Sequence, residues 1–219
     1  MVIRRVVLDR EISGIRDKVL LTGSLVDTAL ARSITALDTW NADLARQVIE
    51  NDTAINHHRY EVENMTLRAI ATQQPNGADL RLMIAFMNIT TDLERIGDHA
   101  AGISKIITQR AGEIPLKPLL NIPEMAAICH ELLGLSMDAL TNLDIDAART
   151  TAQRDDDIDK LYKYLFQQLL GFMVQNPAMT ARGTYLLWIG HNLERVGDCV
   201  TNICERIIFA QTGDTTELN

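Results

Sequence analysis

Apolar residues recur along much of the chain at alternating intervals of three and four positions, which is the spacing of one buried helix face. The pattern is clearest in two stretches. Their apolar positions are Leu82, Phe86, Ile89, Leu93, Ile96, Ala100, Ile103 and Ile107, and then Leu186, Ile189, Leu193, Val196, Val200, Ile203 and Ile207. A seam of this kind is typical of helices that cross at shallow angles in a bundle.

Breaker residues divide this pattern into six long predicted helices. Asn41 and Asp144 are placed to cap the second and the fifth helix, because a short polar side chain there can accept from the first free N–H groups. The predicted helices cover about residues 4–38, 42–73, 78–110, 123–142, 145–175 and 179–211.

A Pro-rich segment separates the third predicted helix from the fourth and marks the boundary between two halves. Its breakers are Gly112, Pro115, Pro118 and Pro123. The short connections elsewhere make neighbouring helices antiparallel. We therefore predict an all-α fold of two tandem three-helix bundles, residues 1–113 and residues 114–219.

A short signature occurs twice, as LERIGD at 93–98 and as LERVGD at 193–198. A repeat of this kind indicates that the halves are related by internal duplication. Each copy places a Glu and an Asp four residues apart, and therefore on one helix face. That face lies roughly opposite the apolar seam, so we expect the carboxylates to point outwards.

Composition narrows the class of protein. The chain is 47% hydrophobic and 5% aromatic, which favours helices over sheet, and its net charge of −8 with no Lys/Arg-dense segment makes nucleic acid an unexpected partner. Three cysteines without a CxxC pair indicate reduced thiols. The sequence has neither a secretory signal nor an apolar run long enough to span a bilayer, so we expect a cytoplasmic protein that does not insert into the membrane.

The acidic signature has partners on the preceding helix of each half. In an antiparallel hairpin that turns at Pro75, Asp52 lies beside Asp98 and Asn56 lies beside Glu94. We call these four residues the first acidic set.

The same projection applies to the second half, where the hairpin turns at Asn176-Pro177. It brings Asp155 beside Asp198 and Asp159 beside Glu194. We call these four residues the second acidic set. Two independently placed turns thus predict the same arrangement.

Carboxylates that meet in one place repel one another, and a multivalent cation removes that cost. Their oxygen atoms suit hard metals such as Mg²⁺, Mn²⁺, Ca²⁺ or iron. Salt bridges to Arg95 and Arg195 are the competing explanation, and spacing alone leaves the two open. Asn56 offers only an uncharged amide oxygen, so we predict that the second acidic set binds metal more tightly.

Nucleophilic catalysis has no candidate, because the sequence carries no Ser/His/Asp order, Walker motif or phosphate-cradling Gly loop. The adjacent His57 and His58 could supply nitrogen ligands beside the first acidic set, or belong to a solvated flank. A metal-dependent phosphate-ester hydrolase remains the main rival to a binding protein. A helical adaptor with an unrelated partner is a third reading.

Five runs that span nearly the whole chain resemble the PhoU family of phosphate-transport regulators. The match is specific because both copies of the signature occur together, in their expected order. The runs are GSLVDTALARSITAL (23–37), ARQVIENDTAIN (45–56), QQPNGADLRLMIA (73–85), TTDLERIGDHAAGISKI (90–106) and HNLERVGDCVTNICERI (191–207).

The resemblance implies a cytoplasmic, all-helical, non-enzymatic protein of two three-helix bundles, often a homodimer. Such proteins act beside the ATPase subunit of the phosphate ABC transporter and a phosphate-sensing histidine kinase, and they are negative regulators of phosphate-starvation signalling. They lie peripheral to the membrane without insertion. The resemblance therefore predicts an adaptor in phosphate homeostasis.

The resemblance also implies metal binding on paired E(D)xxxD motifs, with iron, Mn, Mg, Zn or Ca as the metal. Two departures concern the first half: Asn56 stands where the family has an acid, and Gly102 stands where it usually has Asn. The implied ligands are Asp52, Glu94, Asp98, Asp155, Asp159, Glu194 and Asp198.

Overall fold

The computed structural model describes residues 2–113, 120–215 and 217–218, with side chains from residue 5 onward. Over these residues it consists of seven α-helices and one short 3-10 turn at Pro177–Met179, with no β-strand. The helices are α1 (Val2–Thr39), α2 (Ala42–Gln73), α3 (Gly77–Gln109), α4 (Ile122–Asn142), α5 (Ile145–Gln153), α6 (Asp155–Gln175) and α7 (Thr180–Thr212).

Both predicted caps form. The Asn41 side chain accepts hydrogen bonds from the N–H groups of Asp43 and Leu44, and the Asp144 side chain accepts one from Ala147. Two of the breakers, Pro115 and Pro118, lie outside the described residues. The division at residues 113 and 114 stays a prediction.

The fifth predicted helix is wrong in one respect, because it is two helices that meet at Arg154. Around the junction the N–H of Arg154 donates to Thr151 and the N–H of Asp157 donates to Arg154, each at 3.1 Å, which is the tighter 3-10 pattern. Residues 155–157 are all Asp. Acidic side chains are favourable in the first turn of a helix, so they support a new start there.

The two signature helices form the centre of the molecule. Helices α3 and α7 pack against each other, α1 and α2 pack around α3, and α4 to α6 pack around α7. The seam residues of the signatures, such as Ile96 and Val196, are fully buried in this core. Burying such a seam from both sides is the main source of stability for helices of this length.

Polar contacts across α3 and α7 join the halves. The Asn202 amide donates to Asp92 Oδ1 at 3.2 Å, and His99 Nδ1 lies 3.0 Å from Asn192 Oδ1. The residue numbers rise along α3 from Asp92 to His99 while those of their partners on α7 fall from Asn202 to Asn192, so the two helices are antiparallel. A Cβ added at Gly102 would lie 2.8 Å from Asn192 Oδ1, so any larger residue there would displace this contact. Within the described ranges, no helix is long and apolar enough to cross a membrane.

Candidate functional site

Each acidic set lies where a signature helix packs against its hairpin partner, α2 on α3 and α6 on α7. The glycine inside each signature permits this approach. A Cβ at Gly97 would lie 3.2 Å from Asp52 Oδ1 and 3.0 Å from Ile55 Cδ1. A Cβ at Gly197 would overlap Asp155 Oδ1. These contacts agree with the register that the sequence predicts across both hairpins.

In the first acidic set, the amide of Asn56 donates to Asp52 Oδ2 at 3.1 Å. The other oxygen of Asp52 is buried and has no hydrogen-bond partner among the residues described. Burial, and then the charge of Asp98, raise the pKa of the Asp52 carboxyl. The pKa of Glu94 is raised by burial and then by Asp98. The set therefore holds carboxylates that are close enough to repel.

In the second acidic set, burial and then the charge of Asp198 raise the pKa of Glu194. Asp159 contributes a smaller repulsion to the same carboxyl. These three side chains are half-buried in the groove between α6 and α7 rather than fully exposed. The expectation that the carboxylates point outwards is thus only partly met, because the neighbouring helix covers them.

Asp155 occupies a different position from the other members of its set. It is only 6% exposed, and it lies against the backbone of α7 at Gly197. Burial raises the pKa of the Cys129 thiol, and the charge of Asp155 raises it further. Burial also raises the pKa of the Cys204 thiol, to about 12, and Asp155 makes a smaller contribution there. The carboxyl of Asp155 therefore faces the interior of the second half.

Basic side chains pair with several of these acids. In the second set, Asp159 lies 3.2 Å from Lys163, Glu194 lies 3.2 Å from His191, and Asp198 pairs with Arg195. The predicted ion pair of Arg195 is thus present.

The corresponding arginine of the first half behaves differently. Arg95 pairs at 2.9 Å with Asp92, three residues earlier on α3, rather than with Asp98, and Asp92 also accepts a hydrogen bond from Asn202 on α7. Arg59 lies beside the first set, with its Nε 3.5 Å from Glu94 Oε1, and the charge of Lys105 opposes the rise in the pKa of Asp52.

The adjacent histidines do not join the first acidic set. His57 Nε2 lies 3.6 Å from Glu61, and His58 Nδ1 lies 3.4 Å from Thr22 Oγ1 on α1. Burial lowers the pKa of His58. Over the part of the chain that the structure describes, no three His, Cys, Asp or Glu side chains converge as metal ligands. Metal binding by either set stays a prediction.

The sequence reasoning missed three features of the site. Gly97 and Gly197 make room for the acids of the neighbouring helix, and their recurrence within the signature was a usable signal. Arg59 reaches Glu94 from α2, and Asp92 joins the halves through Asn202. Neither contact has a sequence signal, because each depends on which side chains face each other across two helices.

Comparison with known proteins identifies the family. The family model for the PhoU domain matches the chain twice, over residues 19–107 and 122–207. The phosphate-specific transport system accessory protein PhoU homolog of Clostridium acetobutylicum is 34% identical over 216 residues, which cover 98% of this chain and 99% of the relative. The homolog of the same name from Streptococcus pneumoniae is 33% identical over 218 residues, and the alignment covers 96% of this chain and 98% of the relative.

Solved structures agree. The crystal structure of PhoU from Pseudomonas aeruginosa superposes with a TM-score of 0.91 at 29% identity, covering 94% of this chain and 99% of that one. The phosphate transport system regulatory protein PhoU from Streptococcus pneumoniae gives 0.87 at 30% identity, with 95% and 99% covered. The predicted all-α fold of two tandem bundles is confirmed. Since the domain model matches both halves and the relatives align over nearly their whole length, the chain belongs to the PhoU family.

Proposed function

We propose that this protein is a non-catalytic regulator of phosphate transport and of phosphate-starvation signalling. The observation that carries the proposal is the domain match in both halves, together with relatives named as accessory proteins of phosphate-specific transport over nearly the full chain. In this role it is a cytoplasmic adaptor between the ATPase subunit of a phosphate ABC transporter and a sensor histidine kinase. It works at the membrane surface without entering it.

The mechanism is binding rather than turnover. A net charge of −8 gives the surface a negative potential, which attracts basic surfaces of partner proteins and speeds their encounter. The acidic sets concentrate that charge at two related places, where α2 packs on α3 and where α6 packs on α7. A regulator built this way can link two partners by contacting one through each half.

Metal binding by the acidic sets belongs to the same proposal. The donor atoms are carboxylate oxygens, which are the ligands that hard cations prefer. They also repel one another, since burial and then the charge of Asp198 raise the pKa of Glu194. A cation would supply neutralisation and a docking point for a partner. In the second set Asp159, Glu194 and Asp198 would hold it, in competition with Lys163 and Arg195.

Retention of the two partners tests the adaptor role. The tagged chain, bound to resin, is exposed to lysate from phosphate-replete and phosphate-starved cells, and the transporter ATPase and the kinase are identified by mass spectrometry. We expect both to be retained, in amounts that change with phosphate supply. Absence of both under every phosphate and metal condition would reject the adaptor proposal.

A matched pair of variants tests the part played by the second acidic set. Asp159→Asn with Asp198→Asn removes two charges from the set, whereas Asp156→Asn with Asp157→Asn removes two exposed charges from the same region of the chain. We expect the first pair to weaken retention more than the second. Equal effects would mean that only net charge matters.

The homodimer is also a proposal, supported by the family resemblance. Light scattering coupled to gel filtration distinguishes one 24.5 kDa chain from two. A mass that stays at one chain up to micromolar concentrations would reject it. Limited proteolysis tests the proposed domain boundary, because cleavage concentrates in exposed connections and should separate residues 1–113 from 114–219.

A further inference from the structure

The two acidic sets differ at two equivalent positions. Gly97 contacts Asp52 and Ile55 as Gly197 contacts Asp155 and Ile158, so α3 aligns with α7 at an offset of 100 residues and α2 aligns with α6 at an offset of 103 residues. With the second offset, Asn56 corresponds to Asp159, and Arg59 corresponds to Tyr162. The first set therefore has an amide and a guanidinium where the second has a carboxylate and a phenol.

The guanidinium of Arg59 is held between the two helices that form the first acidic set. Its Nε lies 3.5 Å from Glu94 Oε1 on α3, and its Cζ lies 4.3 Å from the ring centre of Tyr60. Its Nη1 lies 3.8 Å from Glu63, one turn further along α2. The side chain is 23% exposed. A cation stacked on a ring and paired across helices is well localised.

This charge acts directly on the acids of the set. The guanidinium of Arg59 lies at ion-pair distance from Glu94 and offsets the negative charge of that carboxylate. The Asn56 amide donates a hydrogen bond to Asp52 Oδ2 and stabilises the charge of the second carboxylate. The repulsion that would favour a metal ion is therefore reduced within the chain itself.

The basic side chains of the second acidic set are placed differently. Each pairs with an acid of its own helix, and the side chains are more exposed: 72% for Lys163, 54% for His191 and 38% for Arg195. A pair as exposed as Lys163–Asp159 is weak. A divalent cation can displace such a pair at small cost, and Tyr162 brings no positive charge to this set.

We infer that Arg59 is the resident cation of the first acidic set and excludes a divalent metal ion from it. The first set does not fit a metal because a guanidinium paired with Glu94 would repel one. The inference rests on the proposed capacity of these acids for metal. It predicts an asymmetric protein in which one half is fixed by its own side chain and the other responds to cation supply.

Manganese binding tests the inference in the full chain after removal of metal with a chelator. Glu194→Gln with Asp198→Asn disables the second set, and all first-set measurements use this background. Calorimetry gives the affinity for Mn²⁺. Broadening of the Asn56 side-chain amide signal by the paramagnetic ion reports whether Mn²⁺ is at the first set.

In this background we expect the chain with Arg59 to leave the Asn56 signal sharp. Arg59→Gln should bind Mn²⁺ about 10–100-fold more tightly, the range over which neighbouring groups tune metal sites, and should broaden that signal. Arg59→Lys keeps the charge and should behave like Arg59. Arg68→Gln removes the same charge from an exposed position of α2 and should change nothing.

Broadening of the Asn56 signal with Arg59 in place would overturn the inference, and so would the absence of tighter binding in Arg59→Gln. Mn²⁺ binding to the chain with both acidic sets intact distinguishes failure of this inference from failure of the proposed metal site in the second set. If it binds no Mn²⁺ at the second set but Arg59→Gln opens the first, the proposed second site fails and the role of Arg59 stands.

Discussion

The two signature glycines should respond differently to the same small substitution, although they occupy equivalent positions. A Cβ at Gly197 would overlap Asp155 Oδ1 and lie 2.9 Å from Ile158 Cδ1. Asp155 is 6% exposed and Ile158 is fully buried, so neither can move freely. At Gly97 the nearest atoms lie at 3.0 and 3.2 Å, and a shift of a few tenths of an ångström relieves the contact.

The size of each effect follows from two opposing contributions. Replacing Gly by Ala within a helix stabilises it by about 1 kcal/mol. Overpacking a filled interface costs about 1–3 kcal/mol. We expect Gly197→Ala to destabilise the fold by about 1–2 kcal/mol, since its contact is severe. Gly97→Ala should stay within about 0.5 kcal/mol of the parent, since its two contributions nearly cancel.

Gly134→Ala provides the control, because no described atom lies within 4 Å of a Cβ there. It should gain about 0.5–1 kcal/mol. Urea unfolding followed by circular dichroism at 222 nm, in buffer with a chelator, measures all three variants. Gly197→Ala should lower the melting temperature by about 2–8 °C in a chain of this size. A Gly197→Ala variant as stable as Gly97→Ala would refute the packing argument.

Three further substitutions test separate contacts. Burial and a neighbouring carboxylate raise the pKa of Glu194, so the native carboxyl keeps its proton to higher pH than the unfolded one, and stability falls as pH rises through that range. Glu194→Gln should therefore be more stable than the parent at pH 7 without metal, with the advantage absent below the ordinary carboxyl pKa; unfolding at several pH values measures this. Asp92→Ala should cost about 1–3 kcal/mol, and a double-mutant cycle with Asn202→Ala should give a favourable coupling across the two halves. Asn41→Ala should cost about 1 kcal/mol through loss of its cap, whereas Asn76→Ala should cost little, because that side chain makes no cap hydrogen bond; thermal unfolding compares them.

The fold was largely predictable because its signals are local. Apolar spacing identified the central helices, and Asn41 and Asp144 identified two helix starts. The break at Arg154 was missed because helix continuity there depends on how α5 and α6 pack on α7. Three consecutive Asp residues are compatible with a helix start there, and equally with the exposed face of a continuous helix.

The candidate site was predictable in register but not in side-chain arrangement. Counting from the turn predicts Asp52 beside Asp98, because the rise per residue is constant along both helices, and the structure has Asp52 against the neighbouring Gly97. It could not reveal that Arg59 pairs with Glu94. Rotamers and neighbouring charges decide such pairs, and they are set by packing across helices.

The sequence by itself determined two duplicated helical halves and two acidic sets at matching heights, because periodicity and turn positions are written along one chain. Only the tertiary structure decided how the sets differ. It turned Asp155 into the interior, left Asp159, Glu194 and Asp198 paired with basic side chains of their own helices, and put Arg59 against Glu94. Burial and charge act through space, so equivalent positions in a repeat acquire different environments once the helices are packed.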